Sequence, residues 1–188
     1  MDLEHRIHKI VSSKNSYIHD DCAYLGKSHQ LISTDTLVEN VHFDLNHFDA
    51  SDIAHRLFVC NFSDIQSSGG YPQYALLNIS FPNKNFEITQ QIVKFFKKLL
   101  KKYNIKLIGG DTTSSSNIYL SSTFISKKII KTKIINRKNA KVGDSIYTFK
   151  NIGFSKLGYL SIFKKQNLNK NLILKSKVQF LKPKIITY

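Results

Sequence analysis

One segment limits the folds open to this chain more than any other: an apolar stripe at helical spacing, Phe86, Ile88, Ile92, Phe95, Phe96, Leu99, Leu100 and Tyr103, set between two strand-like runs. Recurrence every three to four residues over so long a stretch predicts a helix with one wide buried face. Lys94, Lys97, Lys98, Lys101 and Lys102 fall largely on its other face and read as a solvated surface. Before it, residues 74–81 read as a buried strand ended by Pro82, and after it residues 105–108 form a strand that runs into Gly109-Gly110-Asp111. Leu31-Ile32-Ser33 is a short strand candidate that delivers Thr34 and Asp35 to its C-terminal end, where open α/β sheets place ligands. Ile53, Ala54, Leu57, Phe58 and Ile65 recur at helical spacing, with Ser51 as the expected N-cap and Gly69-Gly70 as the stop, which leaves Asp64 in the final turns. Residues 118–126 and 145–149 read as two further strands. The fold class is α/β (α+β).

Four separated aspartate motifs stand out because the chain is poor in acids, with Asp+Glu 13 against Lys+Arg 28. They are Asp20-Asp21-Cys22-Ala23, Ser33-Thr34-Asp35-Thr36, Asn61-Phe62-Ser63-Asp64 and Gly109-Gly110-Asp111-Thr112-Thr113. Carboxylates beside small or hydroxylated residues are the ligands that Mg²⁺ and its bound phosphates require. In the last motif the glycines let a phosphate approach backbone N–H groups while the aspartate holds a cation against it; the same letters also suit a tight turn closed by an Asx hydrogen bond. Asp35 and Asp64 lie near apolar segments, and two buried carboxylates raise each other's pKa, a conflict that a shared metal removes. His42 reads either as a hydrogen-bond donor to substrate or as a structural residue. His5, His8, His29 and His55 lack metal-binding spacing with Cys or Glu.

Composition narrows the classes. With 188 residues and 41% hydrophobic content, the chain is long enough for a core, and its longest apolar runs are too short to span a bilayer. No apolar signal core follows the N-terminus, so a cytoplasmic protein is expected. Cys22 and Cys60 are too few for a disulfide framework and wrongly spaced for zinc, and read as small, inert residues. The net charge of +15 would suit nucleic acid, but the lysines are spread without aromatic interleaving, so no dedicated nucleic-acid partner is expected.

The order of the motifs, together with Ile32 to Val38, His42-Phe43 and Leu107-Ile108-Gly109-Gly110-Asp111, resembles bacterial thiamine-monophosphate kinase, a branch of the aminoimidazole ribonucleotide synthetase superfamily. The resemblance implies ATP-dependent phosphorylation of thiamine monophosphate to thiamine diphosphate in the biosynthesis of that cofactor, with Mg²⁺. It implies an N-terminal domain over 1–140 with a mixed sheet and flanking helices, paired through its sheet across a homodimer, and the start of an incomplete second α/β domain over 141–188, represented by its first strand and helix. By motif, Asp21, Ser33, Thr34, Asp35, Asp64 and Asp111 match metal ligands, Gly110, Asp111 and Arg137 match ATP contacts, and His42 matches a substrate contact. No residue is nominated as a general base, because the acceptor phosphate is already ionised. Two positions depart from the pattern: His19 stands where a glycine is usual, and Gly153-Phe154-Ser155 where Gly-Asp-Ser is usual. A half-domain of this kind is expected to expose apolar surface around Leu157, Leu160 and Ile162. Two other readings remain: a catalytically impaired nucleotide-binding or dimerisation module, and a basic nucleic-acid-binding protein.

Overall fold

The computed structural model describes residues 3–11, 20–130, 134–148, 152–164 and 169–185. His19, Phe149 and the side chains of His5 and His8 lie outside the described part. In chain order the elements are α1 (Leu3–Val11), β1 (Ala23–Leu25), β2 (Gln30–Val38), α2 (Ala50–Ser67), β3 (Pro72–Phe81), α3 (Phe86–Lys102), β4 (Lys106–Ser114), β5 (Tyr119–Ser126), α4 (Phe154–Phe163) and α5 (Lys170–Leu181).

The five strands make one mixed sheet in the order β1-β2-β5-β3-β4. Only β3 and β4 run parallel, as they must when a helix, α3, carries the chain from one to the other. Helices α2 and α3 lie against one face, because their apolar stripes and the inward residues of the strands bury each other. Phe58 of α2 is the hub of this core: its ring centroid lies 5.0 Å from Phe62, 5.5 Å from Phe124 and 5.1 Å from Tyr103. Ile53, Ala54, Leu57, Phe58, Phe96 and Phe124 are fully excluded from solvent. Among the described residues no helix packs on the second face of the sheet. That face is rich in hydroxyls, and Thr36 Oγ1 donates to Ser121 Oγ at 3.0 Å across β2 and β5.

Several expectations need correction. Asp49, not Ser51, caps α2: its side chain accepts from the Asp52 N–H at 2.8 Å, and Asp52 Oδ2 accepts from the Asp49 N–H at 3.2 Å. This reciprocal box satisfies two orphan donors and begins the helix two residues earlier. β2 does not stop at Ser33 but pairs with β5 as far as Val38, so Thr34 and Asp35 sit in mid-strand. Gly109-Gly110-Asp111 likewise lies inside β4 rather than in a turn after it. Residues 145–148 carry no strand. Within α4 and α5 the large apolar side chains that are exposed are Tyr159, Phe163, Leu174 and Val178, while Leu157, Leu160 and Ile162 are half-buried where α4 meets α5. Those two helices cross closely at Gly158, where a Cβ would lie 2.1 Å from the Ser176 carbonyl oxygen.

The end of α5 is fastened to the start of α2. Lys182 Nζ lies 3.1 Å from Asp52 Oδ1 and donates to Ser51 Oγ at 2.6 Å, and His55 Nε2 lies 2.7 Å from the Pro183 carbonyl. Arg56 is held between the rings of Phe48 and Phe180, at 4.9 and 4.6 Å, and donates to the Phe180 carbonyl at 2.5 Å. A desolvated guanidinium between two aromatic faces is a strong anchor.

Candidate functional site

Side chains alternate along a strand, so β2 presents its site residues to both faces of the sheet. Leu31, Ser33 and Leu37 are buried toward the helices, which puts Asp35 on that face too, while Thr34 and Thr36 point the other way. On the helical side α2 brings up Asp64. The Ser33 hydroxyl donates to Asp64 Oδ2 at 2.8 Å and lies 3.2 Å from Asn61 Oδ1. Asn61 is fully buried and donates through Nδ2 to Ser122 Oγ at 2.8 Å. Asn61 thus ties α2 to β2 and β5 directly beneath the carboxylates.

Asp21 enters from the loop before β1, and its carboxylate pairs with the Arg137 guanidinium; the Arg137 N–H also points at Asp20 Oδ1, 3.4 Å away. The electrostatics bind these groups into one cluster. Burial pushes the Asp64 carboxyl up to about 6; the Ser33 hydrogen bond and Arg137 pull it down, and the nearby charges of Asp35 and Asp21 push it up further. Burial also raises Asp35, with His42 opposing and Asp21 reinforcing the shift. Three carboxylates that repel one another around a partly dry corner form a cation-seeking arrangement. The donor set of Asp21, Asp35, Asp64 and the Ser33 hydroxyl consists of hard oxygens, which suits Mg²⁺. Among the described residues, however, no three His, Cys, Asp or Glu side chains close to coordinating distance.

Asp111 is elsewhere. Register pairs Asp35 with Ser122, Ser122 with Leu77 and Leu77 with Gly110, whereas Asp111 stands opposite Asn78, which faces Ser121 and Thr36. Asp111 therefore projects from the open face, three strands from β2, or about 14 Å at the usual strand spacing. It accepts from the Thr112 N–H at 2.8 Å. Thr34 shares that open face, donating to the Ser122 carbonyl at 3.3 Å and lying 2.9 Å from Thr123 Oγ1. Gly110 is required by close approach: its φ is +154°, and a Cβ there would sit 1.8 Å from the Leu77 carbonyl oxygen.

His42 lies in the turn after β2, where its Nδ1 accepts from the Val38 N–H at 3.1 Å. It lines a cleft of about 270 Å³ together with Phe43, Phe48, Tyr159, Phe163 and Phe180, so α4 and α5 supply the aromatic wall of a pocket that the loop between β2 and α2 begins. The thiols take no part: burial pushes Cys22 up to about 12 and Cys60 up to about 11, and both remain protonated and free.

Sequence reasoning passed over Asn61 and Arg56. A signal existed for Asn61, which interrupts the apolar stripe of α2 one turn before Asp64. Arg56 had none, because the Phe180 ring and carbonyl that fix it lie far along the chain in α5.

A mixed sheet covered on one face by two helices, with aspartates from three separate segments gathered at one corner and a glycine-rich strand at its edge, defines an α/β domain of a particular family. The chain belongs to the AIR synthase related protein, N-terminal domain family, which matches residues 19–127. Among its relatives are thiamine-monophosphate kinases. That of Buchnera aphidicola from Acyrthosiphon pisum is 37% identical over 146 residues, covering 77% of this chain and 44% of the relative. That of Bacillus subtilis is 30% identical over 177 residues, covering 89% and 54%. The chain spans about half the length of the curated relatives it matches. The fold is shared with the thiamine monophosphate kinase of Aquifex aeolicus, with a TM-score of 0.80 at 22% identity, over 96% of this chain and 59% of that one. A structure of AaThiL complexed with AMPPCP and TMP superposes with a TM-score of 0.81 at 23% identity, over 96% and 58%.

Proposed function

We propose that this chain carries the nucleotide- and metal-binding half of an ATP-dependent thiamine-phosphate kinase. The observation that carries the reading is the Asp64 corner: repelling carboxylates of Asp21, Asp35 and Asp64, the Ser33 hydroxyl and Arg137 gathered on one side of the sheet. The kinase names of relatives at 37 and 30% identity give the phosphoryl acceptor, thiamine monophosphate.

In the reaction a phosphate oxygen of thiamine monophosphate bonds to the γ-phosphorus of ATP as the bond to the β,γ-bridging oxygen breaks, giving thiamine diphosphate and ADP. The acceptor oxygen is already anionic, so no general base is required. Alignment and charge neutralisation carry such transfers. Mg²⁺ bound by Asp21, Asp35, Asp64 and Ser33 would neutralise phosphate charge. Arg137 lies at the same corner and supplies a planar, permanently charged fork for phosphate oxygens. Asn61 holds Ser33 and Asp64 in place from beneath. His42 and the aromatic wall of Tyr159, Phe163 and Phe180 form a slot for the flat rings of the acceptor.

Gly110, Asp111 and Thr34 belong to the open face, and we assign their nucleotide and metal contacts to a homodimer in which two open faces meet. Such pairing sets the Asp111 of one protomer against the Thr34 row of the other and buries the uncovered side of the sheet. Residues 1–140 form the pairing domain, and α4 and α5 begin the second domain, over 141–188. A soluble, cytoplasmic enzyme fits this chemistry, and among the described residues no helix is long and apolar enough to cross a membrane.

The test is thiamine diphosphate formation from thiamine monophosphate, ATP and Mg²⁺, with Asp64→Asn as the background control. Product from the wild type alone is expected; equal product from both, or none from either, defeats the kinase reading for this chain. Mixing inactive Asp35→Asn with inactive Asp111→Asn separates the two arrangements. Sites built across the dimer should recover about a quarter of wild-type activity, and sites built within one protomer should recover none.

A further inference from the structure

The cleft of about 270 Å³ beside His42 has two walls that lie far apart in sequence. His42, Phe43 and Phe48 come from the loop between β2 and α2, and Tyr159, Phe163 and Phe180 from α4 and α5. Ring contacts join the walls: the centroids of His47 and Phe163 are 4.9 Å apart, and those of Phe48 and Phe180 are 5.6 Å apart. Aromatic pairs are favourable over centroid separations of about 4.5 to 7 Å, so such contacts close a cleft without fixing its width.

Arg56 fixes it. The residue lies behind the cleft, on α2, and does not line it. Its Nη1 donates to the His42 carbonyl at 3.2 Å and its Nη2 to the Phe180 carbonyl at 2.5 Å, so each arm of one fork holds one wall. The fork is planar and permanently charged, and hydrogen bonds from a charged donor are roughly twice as strong as neutral ones. Among the described residues Arg56 forms no ion pair with a carboxylate; it is held by the two carbonyls and the rings of Phe48 and Phe180. Its mounting is firm, because Ile53 and Leu57 on either side are fully buried and the Asp49–Asp52 capping box lies one turn before. Asp64 follows on the same helix, about 12 Å further along. One helix therefore sets both the spacing of the cleft walls and their distance from the carboxylate corner.

We propose that Arg56 is a positioning residue: it sets the width of this cleft, and thereby how tightly the phosphoryl acceptor is held. The inference rests on the kinase reading, which gives the cleft its occupant. A lysine keeps the charge at this position, but a compact ammonium on a flexible stem does not impose the spacing that a planar fork does.

The test compares wild type with Arg56→Met, Arg56→Lys and Lys182→Met. The last loosens the same end of α5, by removing the contacts with Asp52 and Ser51, and leaves the cleft untouched. Steady-state kinetics with thiamine monophosphate, ATP and Mg²⁺ are read beside amide hydrogen exchange of residues 40–48 and 178–185, with thermal melts as the check on folding. The Asn40 and His42 amides are bonded to the carbonyls of Phe43 and Val38, so their exchange reports opening of the loop wall. Both Arg56 variants should raise the KM for thiamine monophosphate about tenfold and leave that for ATP within about twofold. Both should speed exchange in the two segments together, by about tenfold. Arg56→Lys should do so at close to the wild-type Tm, which separates spacing from stability and decides the matter if Arg56→Met does not fold. Lys182→Met should speed exchange at 178–185 alone and keep the wild-type KM. A wild-type KM for thiamine monophosphate in Arg56→Lys, unchanged exchange at 40–48 in the Arg56 variants, or a KM raised equally by Lys182→Met overturns the assignment. The kinase reading fails separately: no thiamine diphosphate from the wild type removes it, and exchange in the two segments still decides whether Arg56 holds the walls.

Discussion

Asp64 and Asp111 close similar motifs, each preceded by small or polar residues, yet the fold treats them in opposite ways. Asp64 lies against the sheet on the helical side, hydrogen-bonded to Ser33 and repelled by Asp35 and Asp21. Asp111 projects from the exposed edge strand β4 on the open side and, among the described residues, accepts a hydrogen bond from its own neighbour's N–H alone. The contrast shows that a motif names the chemistry of a side chain but not the site it joins. Strand parity and strand order decide that, and here they divide one inferred ligand set between two faces.

The strongest challenge to this comparison is Gly110→Ala. Gly110 holds β4 close to β3, and the added methyl would meet the Leu77 carbonyl at 1.8 Å, backbone against side chain with nothing flexible to yield. A loss of about 3 kcal/mol is expected, lowering Tm by about 6–12 °C in a chain of this size. A melt within a degree of wild type would mean that β4 does not pack as described. Next in size is the pair Asn61→Ala and Asn78→Ala. Asn61 is fully buried beneath the helical-side cluster, and its loss removes the donor to the buried Ser122 Oγ and the acceptor beside the Ser33 hydroxyl, at a cost of about 2 kcal/mol. Asn78 is exposed on the open face, and its replacement should stay within about 0.5 kcal/mol. Urea unfolding of both reads the difference, and equal losses would remove the distinction between the faces.

How much of this was legible beforehand follows from what each signal depends on. The stripe of α3 and the strand-like runs around it are local patterns, and the structure reproduces them as α3, β3 and β4. The class of the domain followed from them. β2 was read too short because Thr34, Asp35 and Thr36 are polar, and the partners that keep them in a strand are supplied by β5, some 85 residues later. Asp49 was overlooked as the cap because Ser51 and Asp49 are both good capping residues, and only the reciprocal bond to Asp52 decides between them. Over the described part of the strand expected at 145–149, residues 145–148, no strand forms, because an alternating local pattern does not by itself supply the neighbouring strand that a ladder needs. At the site, the aspartate types and Arg137 were legible from motif order. That Asp111 faces away from Asp35 was not, since it depends on a sheet order in which two strands stand between β2 and β4.

The smallest expected effect sharpens the comparison most, because it is an effect of sign. In metal-free buffer at pH 8, Asp64→Asn should be more stable than wild type, whereas Asp111→Asn should match it, Asp111 being exposed and its bond to the Thr112 N–H available to an asparagine oxygen as well. The sign follows from linkage. Burial raises the Asp64 carboxyl from 3.8 to about 6 in the folded chain, so the folded state holds that proton more tightly than the unfolded state. Ionising it therefore costs stability: the penalty is absent below the unfolded value, grows as pH rises from about 4 to about 6, and is constant above. The advantage of Asp64→Asn should grow over the same interval and vanish near pH 4, in thermal melts recorded across that range. Adding Mg²⁺ at pH 8 should reverse the order, because the cation stabilises only the ionised wild-type cluster. An Asp64→Asn variant less stable than wild type at pH 8 without metal would mean that the hydrogen bond from Ser33 outweighs the repulsion from Asp35 and Asp21, and that this corner is built to hold the fold together rather than to receive a cation.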